Sequence, residues 1–391
     1  MDRTIPTRLD EIRPDWLTGA LRAGQVIDAE TRVTSCTAKI LGTGEGFSGD
    51  LARLTVAYEG GDGPATMVVK IPTSANDNRS GSEMLGVYER EVRMYQEILP
   101  TLGAPVPSLY YADVDANPDW EKQMAAIGTL ERLPVWFLRF VTWLLQRFVK
   151  PQPRSSVLIL EDLAPAEIGD QVAGTSLERI GRVLEAAAVV HAATWGDKVP
   201  SPGPWLVSGG VAPKLFQASF LGTRNKFLKG EGRDVSDHMK ALLDRLRRDG
   251  IERGRRLHRD LPQCLVHGDL RLDNIFFAAD ADDVRALIDW QLTHTGPAVV
   301  DVAYFIAGSV EPEVTEAQVD ELLGRYHAAL VAAGVHDYPL ARFLEDYEDG
   351  LLAVLGSLTA VELLDMGEAR GRDLVDRMVT RLDGRLGRIA A

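Results

Sequence analysis

The run Leu265-Val266-His267-Gly268-Asp269-Leu270-Arg271-Leu272-Asp273-Asn274 leads directly into Ile275-Phe276-Phe277, and a second apolar stretch, Val284 to Ile288, ends at Asp289-Trp290-Gln291. Ala278 to Asp283, rich in Asp and Ala, reads as a tight connection, so the segment predicts two antiparallel strands and a turn. Asn274 precedes the first strand and Asp289 follows the second, which places both at the same end of the hairpin. An amide oxygen and a carboxylate converging there suit a hard cation such as Mg²⁺. Asp269, on the loop leading in, supplies a further carboxylate with a separate task. Asp and Asn often do no more than close turns. It is the joint spacing, in a strand–loop–hairpin context, that points to a site. His267 reads as a structural residue bonding backbone within its own loop.

The 391 residues suffice for one large two-lobed domain or two ordinary ones, and a 45% hydrophobic content supports a sizeable core. A net charge of −14 argues against nucleic acid as a partner, because phosphate binding needs a basic face. Cys36 and Cys264 are far apart and suggest no disulfide framework. Cys264, beside Leu265-Val266, reads as a buried core thiol. Met1-Asp2-Arg3-Thr4-Ile5-Pro6 contains no apolar run, so no signal peptide is expected and a cytoplasmic location is the default.

Upstream, Pro14 to Leu21, ending before Gly24, predicts a short helix, and Val33 to Ile71 is strand-like. Within it, Gly42-Thr43-Gly44-Glu45-Gly46-Phe47-Ser48-Gly49 is an ordinary hairpin or a loop whose backbone N–H groups approach phosphate oxygens. Met84, Tyr88, Glu91, Tyr95 and Ile98 recur at helical spacing and predict one stripe on a helix from Ser82 to Leu99. Glu91 falls inside that inward stripe and needs a cation. Lys70, at the end of Met67-Val68-Val69-Lys70, is the candidate, while Glu89 and Glu97 should be solvated. His191, on a helix with Ala187 and Val190, reads as a satisfied core histidine. The remainder to Ala391 is helical, without internal repeats.

Leu133 to Val149 stands apart. Trp136, Phe137, Phe140, Trp143, Leu144, Leu145 and Phe148 make it greasy, and Arg139, Thr142, Gln146 and Lys150 form a thin polar stripe. It is too short and too polar to span a bilayer. Three readings stay open: an insertion helix packed on the small lobe, a peripheral membrane contact, and a lid over an apolar substrate.

The His267-Gly268-Asp269 … Asn274 … Asp289 pattern resembles the kinase catalytic core, with Gly where protein kinases carry Arg and Trp-Gln after the second Asp. That form resembles the aminoglycoside phosphotransferase and choline kinase group of small-molecule kinases. Asp289-Trp290-Gln291 and Pro297 to Phe305 look most like its ecdysteroid-kinase-like branch. No Ala-Pro-Glu segment follows, and the missing Arg is the one that would read a phosphorylated activation loop. The resemblance implies an α+β, bilobal, protein-kinase-like fold. Residues 1–161 would form a nucleotide-binding lobe with an apolar helical insertion at about 128–150, and residues 162–391 a mainly helical catalytic and substrate lobe.

It further implies ATP- and Mg²⁺-dependent phosphorylation of a hydroxylated small molecule. Asp269 would orient the hydroxyl and accept its proton, and Asn274 and Asp289 would hold Mg²⁺. Lys70, fixed by Glu91, would position the α and β phosphates under the loop of Gly44, Gly46 and Ser48. Leu158-Ile159-Leu160-Glu161-Asp162-Leu163 resembles the strand and linker between lobes, with backbone at Glu161 meeting the adenine edge. Asp301 would brace the catalytic loop, or cap the helix over Val302 to Ala307. The branch and the aromatic insertion point to an apolar, steroid- or terpenoid-like acceptor, with an aminoglycoside or a choline-type amino alcohol as the alternative. A nucleotide-binding pseudokinase and a peripheral membrane protein are the rival classes.

Overall fold

The computed structural model describes residues 4–41, 49–73, 76–148, 152–230, 235–360 and 369–390. Its contacts group the chain into two compact units. The smaller comprises Met1–Thr101, Val106–Pro118 and Lys150–Pro165, and the larger comprises Leu102–Pro105, Asp119–Val149 and Ala166–Ala391.

In the smaller unit, helix α1 (Pro14–Ala23) starts with Pro at its first position, where the missing N–H costs nothing. It presents Leu17, Ala20 and Leu21 to a five-stranded antiparallel sheet. The strands are β1 (Arg32–Leu41), β2 (Gly49–Glu59), β3 (Thr66–Pro72), β4 (Leu109–Val114) and β5 (Ser156–Glu161), in the order β1-β2-β3-β5-β4. Alternation along β3 sends Met67, Val69 and Ile71 into the core with Leu17, Leu21, Leu54 and Ile159. Lys70 therefore lies on the opposite face. Thr18 ties α1 to the sheet by accepting the Val33 N–H at 2.9 Å.

The single helix expected from Ser82 to Leu99 is interrupted. Gly86, at φ +64°, separates α2 (Asn76–Leu85) from α3 (Val87–Arg93), because a left-handed residue ends one helix and cannot propagate it. α3 runs on through a π-helical turn, Met94–Ile98. Tyr88, Glu91, Tyr95 and Ile98 are buried as the stripe predicts, but Met84, on the other side of the break, is 45% exposed. Glu89 is buried, contrary to expectation. Its carboxylate accepts from the Asn117 N–H at 2.8 Å and from Arg93 at 2.9 Å, so the segment around Asn117 covers a position that helix periodicity assigns to solvent.

The larger unit begins with α4 (Trp120–Leu130) and α5 (Val135–Phe148). The sequence reading counted this insertion with the N-terminal lobe, with packing on that lobe as one of three open readings. It packs instead on α7 (Pro213–Phe227) of the larger unit, burying Leu138 completely. The physical reason is local. Glu131 accepts from the Lys214 and Leu215 N–H groups at 3.1 and 2.8 Å, which satisfies unpaired donors at the start of α7, and Lys214 Nζ donates to the Leu133 carbonyl at 3.2 Å. Around it stand α6 (Leu177–Ala193) and α8 (Asp237–Asp260), then α9 (Ala298–Ser309), α10 (Glu316–Ala332), α11 (Leu340–Leu358) and α12 (Ala369–Leu386). α9 is almost wholly buried, contacting α11 and α12. Three short strands form one sheet, β6 (Glu167–Ile168), β8 (Ile275–Phe277) and β9 (Val284–Leu287), in the order β6-β8-β9. Two more, β7 (Gln263–Val266) and β10 (His294–Pro297), pair beside it.

Arg381 of α12 is fully buried, yet its guanidinium donates to Glu311 and to the Gln171, Val172 and Gly308 carbonyls. Truncation would take this donor from the Gln171 and Val172 carbonyls, while the Gly308 carbonyl keeps the Gln171 amide and Glu311 keeps access to water. Arg381→Ala should therefore lower the unfolding free energy by about 3–5 kcal/mol in denaturant titrations of the full chain. A loss under about 1 kcal/mol would show that water replaces the guanidinium.

Candidate functional site

The smaller unit holds an ion pair. Lys70 Nζ lies 2.8 Å from both carboxylate oxygens of Glu91, with the two side chains 14% and 6% exposed. The stripe argument predicts this contact, and burial makes it costly to leave either partner alone. At Glu161 the backbone N–H donates to the Ser108 carbonyl at 2.9 Å, and the carboxylate accepts from Ser108 N–H and Oγ at 3.1 and 3.0 Å. The Glu161 N–H is thus committed to Ser108. Gly44, Gly46 and Ser48 lie outside the described residues.

The larger unit holds the loop and hairpin. β8 and β9 pair with Ile275 opposite Leu287, and the Ile288 N–H donates to the Asn274 carbonyl at 3.0 Å, so Asn274 and Asp289 sit at one end of the hairpin as expected. Asp289 adopts φ +66°, ψ +58°. A non-glycine residue in the left-handed region is sparsely populated, and such positions cluster at functional sites. Asn274 Nδ2 donates to the Asp269 carbonyl at 2.9 Å and to Asp269 Oδ2 at 3.0 Å. Two acceptors on that side fix the amide orientation and turn the other end, Oδ1, away from Asp269. An amide oxygen and the Asp289 carboxylate are the donor set that Mg²⁺ takes from a protein when phosphates and waters fill its remaining positions. Among the described residues no group of three His, Cys, Asp or Glu side chains is placed to hold a metal ion.

The loop before the hairpin is held from below. Asp301 accepts from the N–H groups of His267 and Gly268 and lies 3.3 Å from His191 Nε2. Of the two roles open for it, bracing the loop is the one observed, since Pro297 occupies the helix cap position. Burial tends to raise the Asp301 carboxyl, but its contacts with His191, His267 and the Gly268 N–H outweigh this and hold it below the ordinary carboxylate value. His191 is the core histidine expected, with its other nitrogen 2.8 Å from Tyr326 Oη. His267 Nε2 bonds the Ile288 carbonyl at 2.9 Å, and Nδ1 faces the Asp269 N–H at 3.3 Å, a loop-building role. Gly268 has φ +81°, and a Cβ there would lie 2.3 Å from the Leu292 carbonyl oxygen. Only glycine fits.

Two residues that sequence reasoning missed complete the surroundings of Asp269. Tyr304 Oη donates to Asp269 Oδ1 at 2.9 Å, and Arg271 Nε donates to Oδ2 at 3.2 Å. With Asn274, the carboxylate thus receives three side-chain donors. Burial, and then Asp269, push the Tyr304 phenol well above its ordinary value, so it stays a donor. Burial alone would disfavour the Arg271 charge, but Asp269, Tyr304, Asp273 and Asp289 more than offset it and raise its pKa. Signals for both were present. Arg271 lies two residues from Asp269 and from Asp273. Tyr304 lies one helical turn after Asp301 on an otherwise apolar helix.

The profile of the ecdysteroid kinase-like family matches residues 43–202 and 210–335. A 48-residue stretch is 46% identical to acyl-CoA dehydrogenase family member 10 of Mus musculus, covering 12% of this chain and 4% of that protein. A 45-residue stretch is 44% identical to acyl-CoA dehydrogenase family member 11 of Gallus gallus, covering 12% and 6%. The matched stretches are therefore a small fraction of those relatives' lengths. Among solved structures, choline kinase from Cryptosporidium parvum Iowa II aligns with a TM-score of 0.51 at 11% identity, covering 94% of this chain and 93% of that one. That likeness speaks for the fold, and the family profile, which spans most of the chain, speaks for descent. The chain belongs to the ecdysteroid kinase-like family and has a protein-kinase-like α+β fold.

Proposed function

We propose that this kinase transfers the γ-phosphoryl group of ATP, with Mg²⁺, to a hydroxyl of an apolar small molecule of steroid- or terpenoid-like class. The observation that carries the reading is the Asp269 carboxylate, held by Tyr304, Arg271 and Asn274 at the entrance to the hairpin that bears Asn274 and Asp289. The acceptor class is supported by the family to which the chain belongs.

In this reading Asp269 orients the acceptor hydroxyl and takes its proton as the O–P bond forms. Its three donors fix its direction and spread its charge, which suits a base that acts late, after the acceptor oxygen has begun to bond phosphorus. Asn274 Oδ1 and Asp289 hold Mg²⁺, which when bound neutralises charge on the β and γ phosphates. Lys70, kept in place by Glu91, is assigned to the α and β phosphates. Positioning and charge neutralisation account for most of the catalysis in such transfers, and little covalent chemistry falls to the protein.

Incubating the purified chain with MgATP and panels of sterol and terpenoid alcohols, aminoglycosides and choline-type amino alcohols tests the acceptor class. Phosphorylated sterol or terpenoid products are expected. Turnover confined to either of the other panels would overturn the acceptor assignment while leaving the kinase intact.

Asp269→Asn should reduce transfer by about 10²–10⁴ while MgATP affinity stays within a few-fold. Near-normal turnover would remove Asp269 from the chemistry. Asp289→Ala should instead weaken MgATP binding itself, read by calorimetry, and an unchanged affinity would discard the metal-ligand role. Tyr304→Phe removes one of three donors, so kcat should fall by about tenfold with MgATP affinity unchanged. A Tyr304→Phe enzyme as fast as the parent would mean that Arg271 and Asn274 suffice.

A further inference from the structure

α5 carries a surface that the kinase chemistry does not use. Of the large aromatic side chains exposed among the described residues, Trp136 (72%), Phe140 (52%), Trp143 (53%) and Phe216 (50%), three lie on this one helix at spacings of four and three. That spacing puts them on one face. The opposite face is spent on α7, through the fully buried Leu138. The rings are in mutual contact through Phe137, with centroids 5.7, 6.4 and 6.1 Å apart along Trp136, Phe137, Phe140 and Trp143. They form a continuous aromatic ridge, and contiguous exposed apolar surface of this kind marks an interaction site.

Charge decides the partner. The chain carries −14 overall, yet residues 132–150 hold Arg132, Arg139, Arg147 and Lys150 and no Asp or Glu. Arg139 is exposed and sits within the ridge sequence, between Trp136 and Phe140. The nearest carboxylate in sequence, Glu131, is occupied at the start of α7. A Trp- and Phe-bearing helix face with Arg139 beside the rings is suited to the boundary between lipid headgroups and acyl chains. There the rings enter the apolar layer and the guanidinium meets phosphates. A second copy docking two-fold on the same face would set basic against basic. No helix among the described residues is long and apolar enough to cross a membrane, so the contact is peripheral.

We propose that the outward face of α5, built of Trp136, Phe140 and Trp143 with Arg139, docks this protein on a membrane surface containing anionic phospholipid. The inference is independent of the acceptor assigned to the kinase.

Co-sedimentation of the full chain with vesicles of pure phosphatidylcholine and of an equimolar phosphatidylcholine–phosphatidylglycerol mixture tests it. The protein should pellet with the anionic vesicles only, and less so as salt rises from about 0.1 to 0.5 M. The triple variant Trp136→Ser, Phe140→Ser, Trp143→Ser should stay in the supernatant with an unchanged unfolding midpoint. Arg139→Glu, which leaves the rings in place, should lower the partition coefficient about tenfold or more. A parent protein that ignores both vesicles, or binds both equally, overturns the proposal. So does light scattering that finds a dimer of the parent and a monomer of the triple variant, because the ridge then serves self-association. If the triple variant unfolds, Arg139→Glu alone decides, and its unchanged partition would likewise overturn the proposal.

Discussion

One carboxylate organises the larger unit's chemistry. Asp301 is 2% exposed and charged, a combination that costs several kcal/mol unless every lone pair is met. The His267 and Gly268 N–H groups and His191 meet it. The loop conformation is therefore not a local preference of six or seven residues. It is the arrangement in which a buried charge has partners, and any shift of the loop exposes the cost of that charge. Asp269 follows directly after the two braced N–H groups, so its position is inherited from Asp301.

The two aspartates divide the work by environment. Asp301 is enclosed and bonded to backbone, and it sets geometry. Asp269 is held only through side chains, Tyr304, Arg271 and Asn274, and it retains a direction without being sealed off. A rigid support beneath a carboxylate with fixed bearing is what a reaction that depends on positioning asks of its protein. In the smaller unit the same economy appears in Lys70 and Glu91, where burial obliges each to keep the other.

What the sequence revealed and what it hid divide along physical lines. The Lys70–Glu91 pair was legible because helix periodicity points Glu91 inward, and a lone buried charge demands its opposite. The hairpin ends at Asn274 and Asp289 were legible because antiparallel pairing is a local rule. His191 was readable as a core residue from its apolar flanks. Glu89 was misjudged because its burial comes from Asn117, 28 residues away, and periodicity knows nothing of a distant covering segment. The break at Gly86 was missed because a single glycine inside a periodic stripe is tolerated as often as it is decisive. The packing of α5 on α7 was hidden for the same reason as the burial of Glu89, since the anchor runs from Glu131 to Lys214 and Leu215, more than 80 residues on in the chain. Arg271 and Tyr304 went unnoticed because attention to the acids left their donors out of account.

Gly268 has an evolutionary consequence. With φ at +81° and the Leu292 carbonyl 2.3 Å from where a Cβ would stand, no side chain can enter at this position while the backbone keeps its course. The loop therefore cannot drift by a single codon change toward an arginine-bearing version that a modified activation segment could recruit. The backbone would have to turn over first, and that would dislodge the N–H groups on which Asp301 depends. A lineage that keeps this loop must therefore keep glycine at position 268, and variation around Asp269 has to enter through other positions.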